Sequence, residues 1–235
     1  MRTTCLLVVL ILTATGSLGA GGETVFVPLE DAGSTALRYD GDCVLGNADY
    51  TAAVGYYSDF FSGDEAYATL ISPVEEGCAC PLGVTVQAVH MALYLTGPTL
   101  LSARVLLHEA VEIGPGCYAP GGPLATSALY VLEPYVGTAL YDLELPLSAP
   151  CAIPGDRYFA VFEVVPVTTE LGVGVPVDDS PTPCHGYDHL DLNWKDSVVD
   201  RGWVGDFYVW ADADCCEEPV HARGGTWGSL KTIYR

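Results

Sequence analysis

Residues 84–95 read VTVQAVHMALYL, from Val84 to Leu95, and the spacing of their apolar side chains decides the fold. Val89, Met91, Leu93 and Leu95 fall on one side of an extended chain; Val84, Val86, Ala88, His90 and Tyr94 fall on the other. Period-two alternation marks a β-strand, and apolar weight on both sides marks a strand covered on both faces. The segment therefore predicts a central strand. Ala103 to Val111 predicts a second, and Ala139 to Leu145 a third, with Tyr141, Leu143 and Leu145 inward and Asp142 and Glu144 toward water. Arg157 to Val165 and Phe207 to Ala211 extend the set. Weaker signals lie at Ala52 to Ser58, Ala66 to Ser72, Thr126 to Glu133, Leu171 to Val177 and Leu190 to Trp194.

Turn residues punctuate these segments: Gly114-Pro115-Gly116, Pro120-Gly121-Gly122-Pro123, Ala149-Pro150, Pro154-Gly155 and Pro181-Thr182-Pro183. Short strands broken by Gly and Pro at roughly 8–15-residue intervals build all-β folds. The expectation is an antiparallel two-sheet sandwich with jelly-roll-like connections. One helix is expected, over Thr226 to Arg235 (TWGSLKTIYR). Thr226 can cap it, Trp227, Leu230 and Tyr234 share a stripe, and Lys231 and Arg235 suit the C-terminal dipole.

The chain opens MRTTCLLVVLILTATGSLGA, with one basic residue, a short apolar run and then small residues. This pattern reads as a cleavable secretory signal over 1–20, followed by a sandwich domain at 21–220 and a tail at 221–235. The apolar run is shorter than the about 20 residues that cross a bilayer, so no transmembrane segment is expected after cleavage. Export, extracellular or periplasmic, places the remaining cysteines in an oxidising compartment. They are Cys43, Cys78, Cys80, Cys117, Cys151, Cys184, Cys215 and Cys216, an even set that predicts disulfides. Cys78 and Cys80, like Cys215 and Cys216, stand too close along the chain to pair with each other comfortably. Each should reach a different strand or loop. The competing reading, a four-thiolate metal site from Cys78, Cys80, Cys215 and Cys216, sits poorly with secretion.

Thirty acidic residues stand against nine Lys and Arg, a formal net charge of −21. Phosphate backbones need a basic footprint, so nucleic acid is excluded as a partner, and anionic membrane surfaces are disfavoured. A divalent cation is the natural counterpart. Calcium suits the acids between Asp178 and Glu218, a set that includes Asp178, Asp179, Asp196, Asp200, Asp206 and Asp212. Asp40-Gly41-Asp42 with Asn47 and Asp49 is a second candidate. His185, Asp188, His189 and Asp191 form the densest polar segment and are the candidate metal ligands, because imidazole and carboxylate suit divalent ions. The alternative for all of these is ordinary solvated loop chemistry. No other cofactor is indicated.

No catalytic signature is present. There is no G-x-S-x-G elbow, and His108 and Glu109 open HEAVE, on opposite sides of a strand rather than on one helix face. Aromatic residues point elsewhere. Tyr56, Tyr57, Phe60 and Phe61 cluster early, while Trp194, Trp203, Tyr208 and Trp210 cluster late and are the candidate ligand-binding rings. Such rings either stack on sugar faces or fill the core.

Several segments together resemble a group of secreted bacterial Cys-rich β-sandwich proteins. They are Cys78-Ala79-Cys80-Pro81-Leu82-Gly83 leading to Val89-His90-Met91, the stretch Gly116 to Leu124, the stretch Val209 to Cys216, and the closing Thr226-Trp227-Gly228 with Lys231, Tyr234 and Arg235. The resemblance implies an exported β-rich protein and carries over no activity or site residue. The functional expectation is a secreted binding or structural module that recognises a glycan or a cell-envelope surface. The alternatives are an extracellular hydrolase on the same scaffold, or a subunit of an extracellular assembly joined through its tail.

Overall fold

The structure, a computed structural model, describes residues 25–28, 42–59, 65–95, 100–132, 139–152, 156–166, 173–190 and 192–217. The expected signal segment, Asp40, Gly41, Phe60, Phe61, Asp191, Glu218 and the expected C-terminal helix lie outside the described residues.

The strands, in chain order, are β1 (Val25–Pro28), β2 (Cys43–Gly46), β3 (Gly55–Asp59), β4 (Glu65–Ile71), β5 (Val84–Leu95), β6 (Leu101–Gly114) and β7 (Cys117–Thr126). They continue with β8 (Tyr130–Val131), β9 (Ala139–Pro146), β10 (Tyr158–Pro166), β11 (Val173–Val177), β12 (Gly186–Asp188), β13 (Lys195–Asp196) and β14 (Val209–Cys215). Among the described residues there is no α-helix, only a 3-10 turn at Tyr50–Ala52. Two curled antiparallel sheets result. The first runs β1-β3-β11-β5-β14-β2, with β9 on the other edge of β5; the second runs β13-β12-β4-β10-β6-β7, with β8 also on β6. No described helix is long and apolar enough to cross a membrane.

The main core lies between the sheets. Met91, Leu93 and Leu95 of β5, Leu143 and Leu145 of β9, and Val209 and Ala211 of β14 face Val105 and Leu107 of β6, Phe162 of β10 and Tyr67 of β4. β5 has the bounds its alternation predicts, but one face assignment is corrected. Val84 and Val86 belong to the same core as Val89 and Met91. The pairing with β14 steps from Ala88↔Asp212 to Val86↔Ala213, so Gln87 is an extra residue. A bulge of one residue re-phases the alternation and turns the start of the strand inward.

Other expectations shift for equally local reasons. Pro120-Gly121-Gly122-Pro123 forms no turn. It lies inside β7, an edge strand whose pairing with β6 is broken by three register shifts. Proline is tolerated there because an edge strand needs no donor on its outer side. Residues 126–132 divide into the end of β7 and the two-residue β8, and the described residues between Leu190 and Trp194 form bends rather than a strand.

All eight described cysteines are bridged: Cys43–Cys78, Cys80–Cys215, Cys117–Cys184 and Cys151–Cys216. As expected, neither close pair joins internally. Three bridges gather at one end of the first sheet, tying β2, the β4–β5 loop, the segment after β9 and the end of β14. Gly83 marks how tightly this end is packed. Its φ is +114° and a Cβ there would lie 2.0 Å from the Ala152 carbonyl oxygen, so only glycine fits.

The outer face of the first sheet is also closed. Tyr50 stacks on Trp210 at 5.7 Å, and His90 lies flat against Trp210 at 4.9 Å. His90 Nδ1 is 3.2 Å from Asp142 and Nε2 is 3.2 Å from Asp212, so Asp142 does not simply face water but partners a buried ring. Burial alone would favour the neutral imidazole. The hydrogen bonds and charges of Asp142 and Asp212 outweigh it and raise the pKa to about 9. Because the folded value exceeds the unfolded one, the stabilisation is complete below about pH 6.5 and is lost as pH rises through 9. A shift of this size is worth on the order of 3 kcal/mol. Urea midpoints should therefore fall between pH 7 and 10, and His90→Gln should flatten that fall; an unchanged slope would remove the charged ring from the account.

Candidate ligand-binding cleft

The outer face of the second sheet carries an open cleft. Outward-facing residues of three adjacent strands form its floor: Ala66 of β4, Val161 of β10 and Leu106 of β6. Val161 and Leu106 are directly opposed across the β10–β6 pair. One step along the same ladder, Glu163 opposes Arg104, and the two form a bidentate ion pair with N–O distances of 2.8 and 2.7 Å. In the other direction along β6 stands His108, opposite Phe159. Alternation thus places Arg104, Leu106 and His108 in one file, polar at both ends and apolar between.

The walls come from outside these strands. His189, Leu192 and Trp194 rise from the segment around β12 and β13, and Pro123 contributes from β7. The cavity holds about 420 Å³. The half-buried Trp194 meets the His108 ring edge-on at 5.8 Å and lies 5.0 Å from the His189 ring. Leu192 is 84% exposed at the rim.

His108 is the unusual member. It is 8% exposed, yet neither ring nitrogen makes a hydrogen bond of normal geometry. Burial lowers its pKa, and the Gly121 backbone and Glu163 oppose that shift without reversing it. The ring is therefore held toward its neutral form, with both nitrogens shielded from solvent beneath the cleft.

The residues singled out from sequence go to different surroundings. Trp210 and Tyr208 share a face of their segment, and both are packed under Tyr50, Trp210 with no exposed surface. Trp203 lies in the main core, stacked on Tyr57 at 4.5 Å. Trp194 alone of the four borders an open cavity. Among the metal candidates, Asp188 is fully buried and its carboxylate is gripped by Arg201 through Nε and Nη2 at 2.8–3.2 Å. His189 joins the Trp194 cleft, whereas His185 faces a second cavity of about 380 Å³ and lies 3.4 Å from Asp206.

The loop acids mostly accept backbone hydrogen bonds. Asp196 takes the N–H groups of Cys184, Val198 and Val199, and Asp178 takes those of Ser180 and Asp206. Asp206 takes that of Thr182. These carboxylates shape the turns that connect β11 to β14. Asn47, from the other calcium candidate, donates to Asp178 and to the Phe207 carbonyl. Among the described residues, the one place where three His, Cys or carboxylate ligand atoms approach within 4.8 Å of one another is Cys43, Cys78 and Cys80.

Sequence reasoning missed Arg104, Glu163, Leu106 and Val161, and weighed His108 only for a protease motif. The alternation Arg104-Leu106-His108 was visible as a polar-apolar-polar file. Its partner file on β10 was not.

No protein-family model matches the chain, and no curated protein matches it. Among solved structures, one similar chain is described as the cysteine protease and lectin-like domains of Cwp84, a surface layer associated protein of Clostridium difficile. The identity is 10%, the match covers 73% of this chain and 36% of that one, and the TM-score is 0.47. A second is the clostridial cysteine protease Cwp84 after propeptide cleavage, at 10% identity, 66% and 37% coverage and a TM-score of 0.42. The chain thus spans little more than a third of the length of the structures it matches.

Proposed function

We propose that this protein is an exported binding module that seats a neutral sugar ring of a glycan in the Trp194 cleft. The observation that carries the reading is the half-exposed Trp194 indole beside the apolar floor of Ala66, Leu106 and Val161, with the Arg104–Glu163 pair at one end. A pyranose ring offers an apolar face to Trp194 and hydroxyls to the Arg104–Glu163 pair. Arg104 cancels the charge of Glu163, so the cleft itself suits a neutral ring despite the acidic chain. Four disulfides belong with an extracellular or periplasmic location, where cell-envelope glycans are at hand.

Screening on an array of cell-envelope oligosaccharides, followed by calorimetry with the best neutral hit, tests this. Trp194→Ala should weaken binding at least tenfold, about 1.4 kcal/mol, with the melting temperature little changed. Absence of any bound oligosaccharide at millimolar concentration, or full affinity in Trp194→Ala, would remove the reading.

A further inference from the structure

We propose that the sugar seated in the Trp194 cleft is a 6-deoxyhexose, with its exocyclic methyl group on the apolar floor and its ring hydroxyls at the Arg104–Glu163 pair. This rests on the glycan reading above and narrows it to one class of ligand.

The register of the second sheet sorts the cleft floor into rows. Glu163 lies opposite Ala66 on β4 and opposite Arg104 on β6, so these three side chains form one row across the sheet. Two residues along β10, Val161 lies opposite Ala68 and Leu106 and forms the next row on the same face. Two residues of an extended strand rise about 7 Å. The first row holds a bidentate ion pair; the second is hydrocarbon throughout. In the third row Phe159 lies opposite His108, and both nitrogens of that ring are shielded from solvent. Beyond the ion pair the floor therefore presents no hydrogen-bonding group to a ligand.

A hexose carries hydroxyls around its ring and one more on the exocyclic C6. The Arg104 side chain is 43% exposed, so neighbouring ring hydroxyls can reach the ion pair from the open side. The opposite edge of the ring then projects over Val161 and Leu106. A hydroxyl placed there would give up water for no partner, whereas a methyl group gains from burial. Trp194 packs against the same apolar cluster, so indole and floor both contribute to that burial. An acetamido group would carry its N–H and C=O over the same hydrocarbon row along with its methyl, and fits less well. The cavity of about 420 Å³ has room for one ring and a substituent of this size.

The rim repeats the chemistry of the floor. Leu192 is held in the left-handed backbone region, φ +64°, where glycine or asparagine sits at less cost. It is exposed, and it adds hydrocarbon rather than hydrogen bonds to the lining.

Calorimetry on the full chain tests this with methyl glycosides that differ only at C6. The pairs are fucose against galactose and rhamnose against mannose, each in the D and L series, with N-acetylglucosamine as the acetamido probe. At least one 6-deoxy sugar should bind about tenfold or more tightly than its 6-hydroxy counterpart. Saturation-transfer NMR should show its methyl protons as the most strongly saturated. Leu106→Thr should erase most of the preference, because it puts a hydroxyl into the second row. The new side chain lies opposite Thr126 of β7, a cross-strand pair that suits a sheet. Its melting temperature is measured alongside; if it folds poorly, the parent chain's response to the sugar pairs decides alone. Equal affinity within every pair, tighter binding of N-acetylglucosamine, or an undiminished preference in folded Leu106→Thr would overturn the deoxysugar assignment and leave the glycan reading standing. Binding of none of these sugars at millimolar concentration would overturn it as well, and the glycan reading falls with it only if the oligosaccharide array is also blank.

Discussion

The double variant Cys80→Ala, Cys215→Ala should melt about 10–20 °C below the parent. Its bridge spans 135 residues, the longest loop of the four. Loop-closure entropy for that length corresponds to about 5 kcal/mol, the upper end of what native disulfides contribute. For a domain of this size, 1 kcal/mol moves the melting temperature by about 2–4 °C. Cys43–Cys78 spans only 35 residues, so removing it should cost less, about 4 kcal/mol at most. The ordering is the informative part. Both double variants remove both sulfurs and leave no stray thiol to attack the neighbouring bridge. If deleting the shorter bridge proves the more damaging, native-state packing rather than chain entropy governs this end of the first sheet.

The second large effect concerns Asp188 and Arg201. Asp188 has no exposed surface, and Arg201 contacts both of its carboxylate oxygens. Arg201→Ala strips the guanidinium from a charge that water cannot reach, and should cost about 3–5 kcal/mol. Replacing both residues by apolar side chains, Asp188→Leu with Arg201→Met, should recover much of that loss, because no ion then remains to be desolvated. Urea unfolding of the single and double variants separates the outcomes. A single variant within about 1 kcal/mol of the parent would mean that the pair behaves like a surface ion pair. A metal role for Asp188 competes with this arrangement, since Arg201 already occupies the carboxylate.

Much of the strand content was legible. β5 has the predicted bounds, and the predictions for β9, β10 and β11 begin within two residues of the observed strands, because alternation and flanking turn residues are local properties of the chain. Short strands escaped detection. Gly186–Asp188 and Lys195–Asp196 are too brief to show any period, and they exist because a neighbouring strand offers them an edge. The run from Pro120 to Pro123 misled for the opposite reason. Its residue types signal a turn, but the continuous edge of β6 captures it as an irregular strand.

The candidate cleft was less legible than the fold. Trp194 and His189 were both singled out, but for different ligands and in company that the structure disperses. Arg104 and Glu163 are 59 residues apart and meet only because β6 and β10 pair in one register. A slip of one residue would put the two on opposite faces of the sheet. Aromatic type alone could not separate Trp194 from Trp210. Both sit near one another in sequence, and only the layer that covers each decides which touches solvent.

By itself the sequence determined that the described part of this chain is all-β, that the eight cysteines from Cys43 to Cys216 are bridged, and that each close pair is shared between partners. Those outcomes follow from period-two patterning, cysteine number and the short reach of neighbouring side chains. The tertiary structure alone decided which cysteines join, where Gln87 bulges, and that His108, Trp194 and the Arg104–Glu163 pair share one cavity. Sheet pairing is a long-range choice, set by the burial of whole faces, and a site assembled from five separate segments exists only once that choice has been made.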